Sequence, residues 1–386
     1  MAKKFNVTGV CIPEKHYMVD ISGRIDNIAG SDIQEGRYFT INRARQYGKT
    51  TTLYLLEKRL KEKYLVIRLS FEATDELFVS RYLLAEGLVR KISRILKMQN
   101  VEQRILMDWN QPISEQFPFD DFSEHITTLC KNAGKEIILM IDEVDKNSDN
   151  QIFLTFLGLL RNKYLEQQQG NDCTFKSVIL AGVYDIKNLK LKLRPEETSK
   201  YNSPWNIASD FNLDMSFSAT EIAGMLEEYE KDYHTGMDIL AMAGMLYDYT
   251  SGYPFLVSRL CKLIDETVAE TEKYPDRHAA WTREGFQEAV RLLLAEPNTL
   301  FDDMRKKLSD YPGLRRMLYE LLYEGQSFPY NMDDEMLNIA GMFGYIKEYE
   351  GKVMVSNRIF ETRLYNLFMS EERICSAISG IAFIAG

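Results

Sequence analysis

Two rhythms of apolar positions alternate along the first half of this chain. After Gly36-Arg37 comes a short β-prone run, Tyr38-Phe39-Thr40-Ile41-Asn42. From Thr50 the segment TTTLYLLEKRLKEK carries Leu53, Leu56 and Leu60 at spacings of three and four with charges elsewhere, which predicts an amphipathic helix. Tyr64 to Phe71 (YLVIRLSF) predicts a second strand, and LLAEGLVRKISRILKM a long helix after it. In EIILMIDEVDK, residues 136–146, an apolar run leads into Asp142-Glu143. That is the pattern of a strand buried on both faces whose carboxylates emerge at its C-terminal end. IFLTFLGLLRNKYLEQQQ returns to a helical pattern, and Phe175 to Gly182 (FKSVILAG) predicts another buried strand. Such alternation implies right-handed βαβ units around a parallel sheet, whose ligands sit at the strand C-terminal ends.

The pattern changes at LKLRPEETSKYNSPWNIASDF, a loop-rich passage that closes the first domain. From Thr220 to about Leu300 the apolar positions read mostly as helices, interrupted at Ser251-Gly252-Tyr253-Pro254. Beyond Leu308, PGLRRMLYELLYEG and DDEMLNIAGMFG predict two helices that end at Gly325 and Gly344. YIKEYEGKVMVSN alternates around Glu350-Gly351, a hairpin signal. Helix, helix, hairpin, helix is the order of a winged helix. The expected division is therefore 1–215 for the α/β domain, 216–305 for a helical domain, 306–369 for the winged helix and 370–386 for a short apolar tail. That tail reads as a truncation product, a docking tail or a last strand fragment.

Composition narrows the class. The 386 residues are 45% hydrophobic and 27% charged, ordinary for a globular chain, and their number suggests two or three domains. The 5 cysteines never form a C-x-x-C pair, so neither a zinc site nor a disulfide framework is indicated, and a reduced cytoplasmic setting is expected. No apolar run approaches the roughly 18 residues of a membrane span. With a net charge of -10 the molecule as a whole does not attract nucleic acid or anionic lipid. Between Pro312 and Met369 acidic residues outnumber basic ones, and a recognition helix such as DDEMLNIAGMFG repels phosphates, so DNA is a possible partner but not the favoured one.

The chemistry concentrates in NRARQYGKTTTL, residues 42–53. Gly48, Lys49 and Thr50 match the end of the phosphate-loop pattern G-x-x-x-x-G-K-[ST], while Arg43 stands where the first glycine belongs. In such a loop successive backbone N–H groups form a nest for anionic oxygens, the next helix adds partial positive charge and the lysine a full one. If position 43 needs a positive φ, a non-glycine costs about 1 to 2 kcal/mol there. Thr50 would hold Mg²⁺ together with Asp142, the Walker B carboxylate, and Glu143 is placed to polarise an attacking water. Asp145 reads as a helix cap more than as part of the site. Tyr184 and Asp185, after the third strand, are candidates to sense the γ-phosphate or mere turn residues. Arg161 and Arg194 are candidates for charge stabilisation.

HYMVDISG, YFTINRARQYGKTTTLYLLE, ILMIDEVD, LAGVYDIKNLKLKLRPEE, SPWNIASDF, YTSGYPFLVSRLCKLIDE and GYIKEYEGKVMVSNRIFETRLYNLF together resemble the bacterial AAA-ATPase-like family. This is a P-loop group close to the archaeal ATPases and STAND NTPases, and the resemblance runs from about residue 5 to 369. It implies an α/β fold, a P-loop NTPase three-layer parallel sheet of AAA+/STAND-like kind, followed by a helical lid and a winged-helix domain. The family's own loop is of the R-A-R-Q-Y-G-K-T-T kind, so Arg43, Arg45, Gln46, Tyr47, Gly48, Lys49, Thr50 and Thr51 become the nucleotide-binding residues. The resemblance also implies that Gly252-Tyr253-Pro254 opens the lid helix toward the nucleotide, with Pro254 at the site and Arg259 approaching the phosphates. Tyr17 reads either as a stack on the adenine or as a core tyrosine. Many members carry a PD-(D/E)XK nuclease domain after the ATPase, and none is expected here.

The leading expectation is an ATP- and Mg²⁺-dependent conformational switch that hydrolyses ATP slowly with Glu143 and Lys49 as catalytic residues. The alternatives are a nucleotide-binding scaffold that does not turn over and acts through protein partners, or a DNA-associated ATPase.

Overall fold

The structure, a computed structural model, describes residues 3–144, 151–183, 205, 207–208, 214–331 and 333–384, with backbone alone from 372. Tyr184, Asp185, Asp145 and Arg194 lie outside the described residues. The chain forms two compact units. One holds Ile21–Arg43 and Lys49–Leu213; the other holds Met1–Asp20, Ala44–Gly48 and Asp214–Gly386. A first pair of strands, β1 (Lys4–Phe5) and β2 (His16–Tyr17), is parallel and counts with the latter unit.

The α/β unit follows in chain order with α1 (Ser22–Ile28), β3 (Phe39–Asn42), α2 (Lys49–Leu60), β4 (Leu65–Ser70), α3 (Arg81–Met98), α4 (Gln103–Trp109), α5 (Pro118–Asn132), β5 (Ile137–Asp142), α6 (Gln151–Gln168) and β6 (Ser177–Gly182). Its four strands are all parallel in the order β3-β6-β5-β4. Every residue of β5 and β6 is buried, which is why both read as unbroken apolar runs. Alternate side chains serve opposite faces. On one face Ile67, Leu139 and Leu180 join Leu88, Ile92, Phe122 and Phe156 from α3, α5 and α6 in one core. Val66, Ile138, Met140 and Ile179 are as deeply buried on the other face, where α2 meets β4, β5 and β6. Helices therefore cover both faces of a parallel sheet, as the periodicity predicts.

Two polar features lie inside this unit. Lys163 of α6, 2% exposed, donates to the Ser123 carbonyl at 3.1 Å, the Thr127 hydroxyl at 2.7 Å and the Asp172 carboxylate at 2.5 Å. His125 of α5 is buried, its ring 5.9 Å from that of Trp109, and burial lowers its pKa below 6.5.

In the other unit the helices are α7 (Ala219–Tyr233), α8 (Ile239–Thr250), α9 (Pro254–Glu266), α10 (Arg277–Ala280), α11 (Arg283–Ala295) and α12 (Thr299–Asp310). Ser218 and Glu221 close a capping box at the start of α7. The Ser251-Gly252-Tyr253-Pro254 break falls between α8 and α9. Ser251 and Gly252 turn the chain with φ of 47° and 71°, and Pro254 opens α9 at its first turn. After α13 (Pro312–Tyr323) and α14 (Glu335–Met342) come the antiparallel strands β7 (Ile346–Tyr349) and β8 (Lys352–Val355), joined by Glu350 and Gly351 at φ of 50° and 75°. The last helix, α15 (Arg358–Ile384), runs unbroken to the end of the described chain, so residues 370–384 form no strand fragment.

Candidate functional site

The C-terminal ends of all four strands lie at one end of the sheet. Asn42 of β3 lies beside Gly182 of β6, Leu180 of β6 beside Ile141 of β5, and Asp142 of β5 beside Ser70 of β4. The loop that starts at Arg43 and the carboxylates that end β5 thus emerge at the same end. One strand, β6, separates them, which sets β3 and β5 about 10 Å apart.

Arg43 does not strain the loop. Its φ is not among the positive values, its N–H continues the ladder to the Gly182 carbonyl at 3.2 Å, and its guanidinium donates to the Asn42 carbonyl at 2.7 Å. The left-handed residues are instead Gln46 at 57° and Gly48 at 83°. The expected cost of a missing glycine, about 1 to 2 kcal/mol, therefore falls on Gln46 and not on Arg43. Left-handed residues alternating with others are what make a nest of N–H groups. α2 begins at Lys49, immediately after the loop, and Lys49 is buried with its Nζ donating to the Arg43 carbonyl at 2.9 Å. Thr50 is half-buried in the first turn of α2, and Thr51 is buried beside it.

Asp142 is 5% exposed, and its Oδ1 accepts the Glu143 N–H at 3.0 Å. Among the described residues no basic side chain forms an ion pair with this buried carboxylate. A hydroxyl and a carboxylate suit Mg²⁺, which takes one or two protein ligands and completes its shell with phosphate oxygens and water. Among the described residues there is no cluster of three acidic, histidine or cysteine side chains that would form a metal site by itself. Glu143 sits just past the strand end with φ of 59°, a left-handed conformation rare for a glutamate. Backbone strain of this kind is concentrated at functional sites.

The family profile of the AAA-like domain matches residues 22–283, a span that covers β3, the loop, β5 and α9. The chain belongs to the AAA-like domain family. The fold of this AAA-like protein is similar to that of a Walker-type ATPase of Pyrococcus abyssi, with a TM-score of 0.57 and 14% identity over 94% of this chain and 99% of that one. It is also similar to the ORC2 protein of Aeropyrum pernix, solved as ADPNP-ADP complexes, with a TM-score of 0.51 and 11% identity over 96% and 98% of the two chains. No curated protein matches the sequence. The AAA-like domain family and a fold shared with a Walker-type ATPase and an ORC2 protein support nucleotide binding by this chain.

Several expected site residues of the AAA-like protein have other occupations. Tyr17 is 1% exposed and packs between Phe5 and Tyr229 with centroids 5.2 and 5.1 Å away, its hydroxyl donating to Asp232, which is the core alternative. Arg259 forms a two-pronged pair with Glu296, its Nε 2.9 Å from Oε1, and this hydrogen bond raises its pKa. Pro254 opens α9 and is buried. Arg161 is half-buried on α6.

The loop tip of the AAA-like protein has partners that no motif announces. Tyr47 shares a 2.6 Å hydrogen bond with the Ser216 hydroxyl, Gln46 Nε2 donates to the Thr299 hydroxyl at 3.1 Å, and Arg45 lies 3.6 Å from Asp303. The Tyr253 hydroxyl donates to the Arg45 carbonyl. A Cβ on Gly344, at φ of 71°, would come within 2.9 Å of the Ala44 Cβ. The one available signal was Tyr253 itself, inside the quoted Gly-Tyr-Pro turn; Ser216, Thr299 and Asp303 sit in unremarkable stretches.

Proposed function

We propose that this AAA-like protein binds MgATP at the loop of residues 43–51 and hydrolyses it as the reset of a conformational switch. The observation that carries the reading is the junction of loop and helix: left-handed Gln46 and Gly48, then α2 starting at Lys49, at the same sheet end as Asp142 and Glu143. In this reading the N–H groups of Arg45 to Lys49 and the α2 N-terminus receive the phosphates. Lys49 exchanges the Arg43 carbonyl for a phosphate oxygen, and Thr51 supports the first turn of α2. The Thr50 hydroxyl and the Asp142 carboxylate would hold Mg²⁺, which when bound supplies charge neutralisation to the β and γ phosphates. Glu143 orients a water and accepts its proton.

The same reading takes residues 216–305, from α7 into the first half of α12, as a lid whose helix α9 starts at Pro254. It takes α13, α14, the β7–β8 hairpin and α15 as a winged helix. Element order supports both. The winged helix serves a protein partner in this account, because Asp333, Asp334 and Glu335 crowd the start of α14, where Asp334 caps the Met336 and Leu337 N–H groups. Arg259, paired with Glu296, would have to exchange that partner to reach a phosphate. Tyr184 and Asp185 stay candidates for sensing the γ-phosphate. No helix among the described residues is long and apolar enough to cross a membrane.

Turnover is tested by phosphate release from ATP and Mg²⁺. Glu143→Gln is expected to lower the rate by roughly 10²- to 10⁴-fold with ATP affinity kept. A wild type that binds ATP and releases no phosphate would leave the non-hydrolysing scaffold as the better reading.

A further inference from the structure

The tip of the phosphate loop is held at its backbone by a side chain far away in sequence. Within the unit that contains both Ala44–Gly48 and Asp214–Gly386, the Tyr253 hydroxyl donates to the Arg45 carbonyl. Tyr253 precedes Pro254 at the start of α9 and is 2% exposed. Its ring meets Tyr47 edge-on at 4.6 Å between centroids and Phe360 at 5.3 Å. The turn before it is equally fixed. Gly252 has a φ of 71°, and a Cβ there would fall 1.9 Å from the Phe217 carbonyl oxygen. Burial pushes the Tyr253 phenol well above its ordinary pKa, so the hydroxyl remains a donor at physiological pH.

Peptide planarity turns this contact into loop geometry. No peptide bond among the described residues is cis, so the Arg45 C=O and the Gln46 N–H point in opposite directions within one rigid plane. Holding the carbonyl toward Tyr253 aims the Gln46 N–H away from it. Gln46 is also the residue in need of restraint, since its φ of 57° is one that glycine adopts freely and glutamine does not. The contacts of Tyr47 with Ser216, Gln46 with Thr299 and Arg45 with Asp303 grip side chains at the tip. Of these partners, Tyr253 grips the backbone.

We infer that Tyr253 is a positioning residue of the nucleotide site: its hydroxyl, through the Arg45 carbonyl, sets the peptide plane that presents the Gln46 N–H to phosphate. This rests on the nucleotide-binding reading of the loop proposed above. Tyr253 touches no phosphate itself, and the chemistry it serves is recognition of the polyphosphate of a nucleoside di- or triphosphate. A loop whose glutamine stands in a glycine's conformation obtains from Tyr253 the rigidity that its own sequence does not supply.

The experiment titrates ADP and ATP, with Mg²⁺, into wild type, Tyr253→Phe, Gln46→Gly and the double variant, and measures melting temperatures without nucleotide. Phenylalanine keeps the ring packing, so the fold is retained. Tyr253→Phe is expected to weaken both nucleotides by roughly five- to tenfold. In the Gln46→Gly background, where the left-handed residue needs no restraint, the same change is expected to cost less than about twofold. A lowered melting temperature with unchanged affinities would overturn the inference, as would equal losses in both backgrounds. Lys49→Ala separates the two levels. If Lys49→Ala loses nucleotide while Tyr253→Phe binds as wild type does, the inference alone fails; if wild type and Lys49→Ala bind alike, the loop reading fails and takes the inference with it.

Discussion

Arg43 and Gln46 exchange the roles that motif spacing gives them. The residue that breaks the phosphate-loop pattern sits in ordinary backbone, and its guanidinium folds back onto the Asn42 carbonyl. The strained residue is three positions on, where the pattern allows anything. We propose that Arg43 braces the start of the loop, so Arg43→Gly is expected to lower nucleotide affinity by less than about fivefold, the cost of extra backbone freedom. A loss of fiftyfold or more in the same titration would make Arg43 a phosphate ligand. Glu143 follows the same rule as Gln46. Its left-handed conformation was not legible in MIDEVD, because a residue pattern carries the side chain that chemistry needs and not the backbone region that aims it.

At the scale of elements, legibility follows the range of the interaction. Leu53, Leu56 and Leu60 are all buried along α2, as their spacing requires, and the Glu350-Gly351 turn forms where a two-residue hairpin signal stands. Local patterns were enough there. The buried Lys163 network joins α6, α5 and Asp172 and leaves no periodic trace, since a lysine on a helix reads as solvent-exposed. The α15 helix reaches Ile384 through a segment whose short apolar runs fit helix and strand equally well. His125 was silent for the same reason as Lys163 and now yields a prediction. Burial holds its folded pKa below 6.5, so between that value and 6.5 the unfolded chain binds more protons and stability rises with pH. His125 therefore contributes stability that is full above about pH 6.5 and lost as the pH falls through its folded value. Urea unfolding from roughly pH 5 to 7.5 should show wild type losing more stability on the acid side than His125→Phe. Parallel curves would mean that the imidazole is protonated at no cost.

At the scale of the whole molecule, the proposed function asks an acidic chain with a net charge of -10 to hold a polyanion. Bulk electrostatics oppose that, so affinity has to come from the short-range field of Lys49, the α2 N-terminus and the nest of N–H groups. The energy required is modest. Nucleotide at a hundred times its Kd stabilises the bound form by about 2.7 kcal/mol, enough to bias a two-state element strongly. The sheet, its strand-end carboxylates and the loop were all legible in the first half of the sequence, because each rests on contiguous residues. The grip of Ser216, Tyr253, Thr299 and Asp303 on the loop tip was not, because those contacts join residues whose proximity only the fold creates.

The central claim is that this loop is a working nucleotide site. It is tested most directly by calorimetric titration of ATP with Mg²⁺ into wild type and Lys49→Ala, with folding of both checked by thermal melting. The account predicts saturable one-site binding in wild type and a loss of roughly a hundredfold or more in Lys49→Ala, as expected when a charge-assisted contact is removed from a partly buried site. Equal affinity in the two proteins, both folded, would contradict it.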